Sequence, residues 1–309
     1  MTPESPPYAS PPPFLVKTQG ITKSYGFRRV FQNLDLEVPQ GALFGLLGPN
    51  GSGKTTLLSI LLGLIHPDSG QVQWGGGLRG ASLRKSVGAF IETPNFYPNL
   101  SAWDNLGLVQ KIRGLKEEDR DRVLQIMGLQ DRKKDAFQTY SLGMKQRLGL
   151  AATLLGSPKI LVLDEPTHGM DPAGIRATRD LLLDLHHSGT SIILASHLLA
   201  EVEKLCTHIA VLYQGQIKAQ GAISSLVPEG KQILIKGPNL SGLYQVLSEW
   251  PALISVQRNQ EGIVVQFLPP ITAAAINQYC LDHDQEISLL QPLGADLESL
   301  YLELTRPSP

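Results

Sequence analysis

The chain has 309 residues, of which 42% are hydrophobic and 18% charged, and its net charge at pH 7 is −1. A charge this close to zero disfavours a nucleic-acid binder or a polybasic membrane-surface protein. No apolar run approaches the roughly 18–20 residues that a membrane-spanning helix needs, so we expect a soluble intracellular protein.

The N-terminal part of the chain contains a tail and a candidate antiparallel sheet. The first thirteen residues include six prolines, a composition typical of a flexible, partly extended segment, so residues 1–13 are predicted to be a tail. Val16–Val38, together with Gln71–Trp74 and the glycines that follow, is typical of a small antiparallel sheet. The folded part of the protein is therefore expected to begin at Phe14.

The middle of the chain alternates short apolar runs with helical segments. The runs at 42–47, 160–163 and 191–195 are continuous, as expected of strands that are buried on both faces. A helical segment such as Glu117–Met127 carries its apolar residues on one face, beneath a charged run that is exposed to solvent. Apolar strands that alternate with helices predict a parallel α/β core.

A phosphate-binding loop follows the first of these strands. Gly48–Thr55 reads GPNGSGKT and fits the pattern G-x-x-x-x-G-K-[ST], with a strand before it and a helix after it. Its glycines allow backbone N–H groups to surround a β-phosphate, and the N-terminus of the helix adds positive charge. Lys54 is expected to reach the β- and γ-phosphate oxygens, and Thr55 to ligate Mg²⁺. The residues predicted to bind the nucleotide here are Gly48, Pro49, Asn50, Gly51, Ser52, Gly53, Lys54, Thr55 and Thr56.

Two carboxylates and a histidine follow the next two apolar runs. Asp164 and Glu165 come directly after the strand at 160–163, and His197 comes shortly after the strand at 191–195. Ligands in such sheets bind beyond the carboxyl ends of the strands, so these side chains should lie beside the phosphate loop. Asp164 is then predicted to bind Mg²⁺, Glu165 to orient or deprotonate the attacking water, and His197 to sense the γ-phosphate.

The composition changes after Val227. Residues 229–309 contain nine acidic and four basic residues, a net charge of −5, which argues against a grip on nucleic acid. The order of predicted elements is strand, helix, strand, strand, helix, strand, with the last strand at Glu286–Leu290. This order matches the ferredoxin-like arrangement, so we expect a small α+β accessory domain over 229–309.

One further segment identifies a family. Tyr140–Arg147 reads YSLGMKQR and resembles LSGGQ-x-QR, the signature of the ATPase subunits of ABC transporters. The resemblance extends over about Val16–Val227 and implies a P-loop ABC-type ATPase domain over 14–228, with a parallel core sheet, an antiparallel β subdomain and a helical subdomain. It also implies that Ser141 and Gly143 face the γ-phosphate of an ATP molecule bound by another subunit.

The same resemblance implies roles for other residues. Tyr25 matches the aromatic residue that stacks on adenine in the family, and His168–Asp171 corresponds to the loop that links the two sites of a dimer. Glu92 stands where most members carry a glutamine that contacts Mg²⁺ and the attacking water, so it is a candidate metal ligand. Leu142 and Met144 replace a glycine and a glutamine of the signature.

The resemblance also implies a function and partners. The YSLGMKQR spelling and the segment Ile91–Pro94 are similar to those of drug exporters and of bacitracin- and lantibiotic-resistance ATPases. The implied function is ATP hydrolysis, with ATP and Mg²⁺, that powers export through a separate membrane permease. The cargo would be an antimicrobial peptide, a drug or another amphipathic or lipid-linked compound. A second ATP-binding subunit, as a homodimer, is the other implied partner, and the complex would place the chain on the inner face of the plasma membrane. Thr93–Leu106 would receive a cytoplasmic helix of the permease.

Two other functions compete with that of an exporter subunit. A soluble ABC ATPase of repair or translation usually carries a coiled-coil insertion, zinc-binding cysteines or two tandem ATPase domains, and none of these features is present in the sequence. A nucleotide-sensing scaffold would bind ATP without turnover, and the intact set of Lys54, Asp164, Glu165 and His197 argues against it.

Overall fold

A computed structural model of the protein describes residues 14–92, 95–115, 119–227, 232–259, 262–267, 271–293 and 297–306. The predicted tail, residues 1–13, lies outside these described residues. The chain divides into two compact units, Met1–Ala222 and Ile223–Pro309. Within the described ranges, no helix combines the length and the apolar character that crossing a membrane would require.

The first unit combines three parts: an antiparallel sheet, a larger mixed sheet and a group of helices. Its strands are β1 (Phe14–Tyr25), β2 (Arg28–Pro39), β3 (Leu43–Leu47), β4 (Ser69–Trp74), β5 (Val87–Phe90), β6 (Ile160–Asp164), β7 (Ser191–Ser196), β8 (His208–Tyr213) and β9 (Gln216–Ala222). Its helices are α1 (Lys54–Leu61), α2 (Gly80–Ser86), α3 (Ala102–Arg113), α4 (Arg120–Ile126), α5 (Leu142–Leu154), α6 (Pro172–His187) and α7 (Leu199–Leu205).

The larger sheet has six strands in the order β5-β6-β7-β3-β8-β9. The first five strands run parallel to one another, and only β9 pairs antiparallel with its neighbour. Every residue of β3, β6 and β7 is buried, which explains why these strands appear in the sequence as continuous apolar runs. The predicted parallel core is confirmed, and the carboxyl ends of β3, β6 and β7 meet at one edge of the sheet.

The antiparallel sheet has the order β2-β1-β4 and confirms the small antiparallel part that the sequence predicts. Val16 lies opposite both Val38 and Trp74 across its two neighbouring strands. The indole N–H of Trp74 donates to the carbonyl oxygen of Leu61 at 2.8 Å, which attaches the sheet to the end of α1. The sheet and α1 share one hydrophobic core with the larger sheet.

A helical part is inserted between β5 and β6. It contains α3, α4 and α5, and 3₁₀ turns at Gln130–Arg132 and Phe137–Thr139 connect the last two. The helix predicted over Glu117–Met127 is shorter in the structure: α4 spans Arg120–Ile126, and residues 116–118 lie outside the described ranges. Val123 and Leu124 are fully buried, so the predicted apolar face is the one that packs.

The second unit contains α8 (Ile223–Leu226), β10 (Gln232–Lys236), α9 (Leu240–Ser248), β11 (Leu253–Arg258), β12 (Ile263–Phe267), α10 (Ala273–Leu281), β13 (Leu289–Leu293) and α11 (Leu297–Thr305). Its sheet has the order β11-β12-β10-β13, and all of its pairs are antiparallel. This is the order of a ferredoxin-like β-α-β-β-α-β unit, as the sequence predicts.

The last strand of this unit was placed wrongly from the sequence. The prediction was Glu286–Leu290, whereas β13 begins at Leu289. The chain continues to turn after α10, because the N–H of Gln285 donates to the carbonyl oxygen of Cys280 at 2.9 Å and Asp284 has a φ of 59°. Ile287 packs against the core from this turn, so an apolar residue gave the impression of a strand that had already started.

Candidate nucleotide site

The loop between β3 and α1 forms the floor of a cleft of about 380 Å³. Two of its glycines have positive φ angles, 78° at Gly51 and 106° at Gly53, which side chains disfavour. Gly53 also has no room for a side chain, because a Cβ atom there would lie 2.6 Å from the ring of Phe31. The residues that line the cleft are Tyr25, Arg28, Val30, Asn50, Gly51, Gly53, Lys54, Thr55, Thr56, Asp164 and Glu165.

Lys54 is the buried cation of this cleft, with only 6% of its surface exposed. Its ammonium group donates to the carbonyl oxygens of Gly48 at 2.8 Å and of Pro49 at 3.3 Å. It also lies 3.5 Å from Oε1 of Glu165. Gly48 and Pro49 therefore act here through their carbonyl groups, and they do not line the cleft.

Ser52 behaves differently from its neighbours in the loop. The residue is 9% exposed, and its hydroxyl oxygen is buried without a hydrogen-bond partner among the described residues. Its backbone N–H donates to the carbonyl oxygen of Pro49 at 3.2 Å, closing a turn. Ser52 does not line the cleft, so its predicted contact with the nucleotide stays a prediction.

Thr55 and Asp164 form a pair suited to a divalent cation. The Thr55 hydroxyl donates to Oδ2 of Asp164 at 2.5 Å, while Oδ1 of Asp164 is buried without a partner in the described part of the chain. Burial raises the pKa of Asp164; the hydrogen bond from Thr55 lowers it, and the charge of Glu165 raises it further. A buried carboxylate oxygen without a donor, next to a hydroxyl, is the donor set that Mg²⁺ takes together with phosphate and water.

Glu165 and His197 form a second pair beside the Thr55–Asp164 pair. Nδ1 of His197 lies 2.9 Å from Oε1 of Glu165, the same oxygen that faces Lys54. Glu165 has a φ of 46°, a left-handed conformation for a residue with a side chain, and its N–H donates to the carbonyl oxygen of Ala195 at 3.0 Å. Such strain is often found at functional positions. His197 is 40% exposed on its side chain and is held beside the cleft rather than in its lining.

Tyr25 and Arg28 stand at the mouth of the cleft, at the two ends of the turn between β1 and β2. Tyr25 is 49% exposed, and the ammonium group of Lys23 lies 5.4 Å from its ring centroid. Arg28 pairs with Tyr25 across the hairpin, and its Nη2 would lie 3.7 Å from a Cβ atom on Gly51.

Arg28 lines the cleft although the sequence did not predict it as a site residue. In the described structure its guanidinium has no hydrogen-bond or ion-pair partner, so it is a cation available to a ligand in the cleft. The signal that could have found it is the short spacing to Tyr25, since a tight hairpin turn places both residues at one end.

Ser141 and Gly143 do not line this cleft. Ser141 is the N-cap of α5: its hydroxyl accepts a hydrogen bond from the N–H of Met144 at 3.3 Å. Ser141 and Leu142 are exposed, so the beginning of this helix is open to a partner. The structure therefore brings the phosphate loop, Asp164, Glu165 and His197 together and leaves the signature segment apart.

Glu92 follows β5, which pairs with β6, and it is exposed with a φ of 61°. Its charge makes a small contribution that raises the pKa of Asp164, so the two carboxylates lie within electrostatic reach. Glu92 does not line the cleft, and Thr93 and Pro94 lie outside the described residues.

Comparisons with known proteins show which family the chain resembles. The family described as "ABC transporter" matches residues 31–168. A protein of Bacillus subtilis described as the uncharacterized ABC transporter ATP-binding protein YdbJ is 34% identical over 298 residues, 94% of this chain and 95% of that protein. The bacitracin transport ATP-binding protein BcrA of Enterococcus faecalis is 40% identical over 222 residues, 69% of this chain and 71% of that protein.

The solved structures show the same relation. A chain described as the ATP-binding subunit of an ABC transporter superposes with a TM-score of 0.63 at 28% identity, and the match covers 69% of this chain and 91% of that one.

Proposed function

This chain belongs to the ATP-binding subunits of ABC transporters, which hydrolyse ATP, and from that premise we propose that two copies of it hydrolyse Mg²⁺-ATP on a separate membrane permease that exports an amphipathic antimicrobial compound. The observation that carries this proposal is the arrangement of four side chains in one cleft edge: the Thr55–Asp164 pair with its unpartnered buried oxygen, and the Glu165–His197 pair beside it.

The residues of the cleft divide the work of hydrolysis. Thr55 and Asp164 would hold Mg²⁺, which when bound neutralises charge on the β- and γ-phosphate oxygens. Lys54 would exchange its bonds to the Gly48 and Pro49 carbonyls for bonds to phosphate oxygens. Glu165 would accept a proton from the attacking water, with its carboxylate oriented by His197. Tyr25 would stack on the adenine ring at the mouth of the cleft.

The second copy would complete the site. Ser141 and Gly143 lie at an exposed helix N-terminus that does not face this chain's own cleft, and a helix N-terminus attracts phosphate. Each ATP would therefore lie between the phosphate loop of one copy and the signature segment of the other. The chain contains one copy of each motif, so a homodimer supplies two such sites.

The permease and the cargo are inferred from the relatives. YdbJ and BcrA are ATP-binding proteins of transporters, and BcrA is named for bacitracin. We infer that this chain docks on the inner face of the plasma membrane through a permease, with the described part of the predicted contact segment, 95–106, as the surface that receives it. An amphipathic peptide antibiotic is the cargo class favoured by these names.

Glu165→Gln tests the proposed chemistry. The change keeps the shape of the side chain and removes the proton acceptor, so we expect steady-state ATP hydrolysis by the purified full chain to fall about 10²–10⁴-fold while Mg²⁺-ATP traps a dimer. Glu37→Gln, which removes a surface carboxylate paired with Lys17, is the matched control and should leave the rate unchanged. A wild-type chain that binds ATP and releases no phosphate would instead support the scaffold.

The transport half of the proposal has its own test. The chain and a candidate permease, produced together in sensitive bacteria, should raise the concentration of a peptide antibiotic that the cells tolerate, and Glu165→Gln should abolish the effect. Resistance that is the same with the Glu165→Gln chain would contradict ATP-driven export.

A further inference from the structure

The part of β1 that leads into Tyr25 is held by a turn that follows α1. In this turn, Oδ2 of Asp68 accepts a hydrogen bond from the N–H of Ser24 at 2.7 Å, and Oδ1 lies 3.1 Å from the ammonium group of Lys23. The N–H of Asp68 donates to the carbonyl oxygen of Thr22 at 2.8 Å. Asp68 therefore fixes the strand directly before the aromatic residue at the mouth of the cleft.

Lys23 is held more closely than an ordinary surface lysine. Only 14% of its side chain is exposed, and its ammonium group also donates to the carbonyl oxygen of His66 at 2.8 Å. The hydrogen bond from Lys23 lowers the pKa of Asp68, and the hydrogen bond from the backbone of Ser24 lowers it further, so Asp68 stays charged at neutral pH. Two oxygen atoms on the turn thus hold the ammonium group in one position.

The ammonium group of Lys23 lies over the ring of Tyr25. Its distance from the ring centroid is 5.4 Å, within the roughly 6 Å over which a cation is attracted to the face of an aromatic ring. The ring is 49% exposed and lines the cleft. An exposed tyrosine side chain can adopt several rotamers, and a fixed cation over the ring favours one of them and leaves the opposite face to a planar ligand.

We propose that Lys23 and Asp68 are positioning residues for the nucleotide base, which hold the ring of Tyr25 in the orientation that adenine needs. This inference rests on the proposed function, in which Tyr25 stacks on adenine. A ring that is ordered before binding costs less affinity than one that the ligand has to order. The turn at 66–68 follows α1, which begins at Lys54 in the phosphate loop, so one segment of the chain supports both the phosphate end and the base end of the cleft.

Lys23→Met tests the role of the cation, because it removes the charge and keeps the length of the side chain. We expect the Kd of the purified full chain for ADP, measured by calorimetry, to rise about 2–10-fold. Inorganic pyrophosphate has two phosphates and no base, so its inhibition constant in ATP hydrolysis should stay at the wild-type value. The KM for ATP should rise while kcat stays the same. A merely structural role, in which the variant damages the phosphate loop, would weaken both ligands.

A double-mutant cycle assigns the effect to the ring. Tyr25→Ala alone should raise the Kd for ADP about 10-fold or more, the usual cost of losing one base–aromatic stack. Lys23→Met should then add nothing in the Tyr25→Ala chain, a non-additive result typical of residues in contact. Asp68→Asn weakens the ion pair and keeps an acceptor for the N–H of Ser24. It should raise the Kd for ADP by a smaller factor than Lys23→Met, and it serves if Lys23→Met cannot be purified.

Lys17→Met is the matched control. Lys17 lies on the same strand and forms an ion pair with Glu37 at 2.8 Å, but it does not line the cleft. This variant should bind ADP as the wild type does.

Three results would contradict the proposal in different ways. An equal loss of ADP and pyrophosphate binding in Lys23→Met, or the same loss with and without Tyr25, would overturn the positioning role. Wild-type ADP binding by Lys23→Met together with weak binding by Tyr25→Ala would overturn only this inference. Wild-type ADP binding by Tyr25→Ala would overturn the adenine stacking of the proposed function and the inference with it.

Discussion

Replacing Gly53 by alanine is the sharpest test of how the phosphate loop is held. Gly53 is the residue before α1, with φ 106° and ψ 9°. A Cβ atom there would lie 2.6 and 2.7 Å from two ring carbons of Phe31 and 2.9 Å from Cγ1 of Val30. Phe31 is fully buried in the core of the first unit, so its ring has no free space to move into.

Two costs add up at this position. A positive φ costs a residue with a side chain about 1–2 kcal/mol, and an extra methyl group in a packed core costs about 1–3 kcal/mol. We therefore expect Gly53→Ala to lower the free energy of unfolding by about 2–5 kcal/mol. At roughly 2–4 °C per kcal/mol for a unit of this size, the melting temperature should fall by about 4–20 °C.

Gly51→Ala separates the two costs. Gly51 also has a positive φ, 78°, but the nearest atom to a Cβ position there is Nη2 of Arg28 at 3.7 Å, an ordinary contact. This variant should pay only the backbone cost of about 1–2 kcal/mol. The assay is thermal unfolding of both variants with and without Mg²⁺-ATP. Mg²⁺-ATP at about 100 times its Kd should stabilise a protein that binds it by about 2.7 kcal/mol. Gly53→Ala should lose this stabilisation. Equal destabilisation by the two substitutions would refute the argument from the Phe31 ring.

Three further outcomes are expected. Asp164→Asn should raise the melting temperature of the protein without added nucleotide at neutral pH, because burial raises the pKa of Asp164 and the folded state therefore disfavours the charged form. The gain in melting temperature should vanish as the pH falls below 3.8, the ordinary pKa of an aspartate, which a pH series of melting curves checks. Arg28→Ala should weaken ATP and ADP binding by about 10-fold or more, measured by calorimetry, while Arg29→Ala, whose guanidinium already pairs with Gln32, should not. Glu92→Gln should change the Mg²⁺ dependence of hydrolysis or the coupling to transport; unchanged ATPase rate, Mg²⁺ dependence and transport would remove Glu92 from the site.

The sequence was sufficient to predict those parts of the fold and of the site that depend on neighbouring residues in the chain. Strands β3, β6 and β7 are buried on both faces and so are continuous in the sequence, and the spacing within Gly48–Thr55 directly encodes a turn between a strand and a helix. The carboxyl ends of parallel strands lie at the same edge of a sheet. Because Lys54 follows β3 and the two carboxylates Asp164 and Glu165 lie at the end of β6, the sequence alone predicts that these side chains lie close together.

The remainder depends on contacts between distant segments. The short spacing between Tyr25 and Arg28 indicates that both lie at one hairpin turn, but it does not indicate that the turn brings Arg28 close to Gly51. Nothing near Leu142 in the sequence indicates that its side chain fills the space above Gly169. The late start of β13 has the same origin, because Ile287 meets the core from a turn and not from a strand. The pattern of apolar and charged residues in the sequence predicts which residues are buried and which are exposed. Only the packed structure shows which residues they contact.

The contacts within the cleft are arranged so that substrate binding would release the groups that catalysis needs. The ammonium group of Lys54 bonds two loop carbonyls and lies 3.5 Å from Oε1 of Glu165. If phosphate oxygens replaced these partners, Lys54 would be drawn toward the nucleotide, and Glu165 would keep its contact with Nδ1 of His197, which lies at 2.9 Å. Binding of ATP would therefore free the Glu165 carboxylate from Lys54 only when a γ-phosphate is present, which would tie water activation to an occupied site and limit the idle reaction.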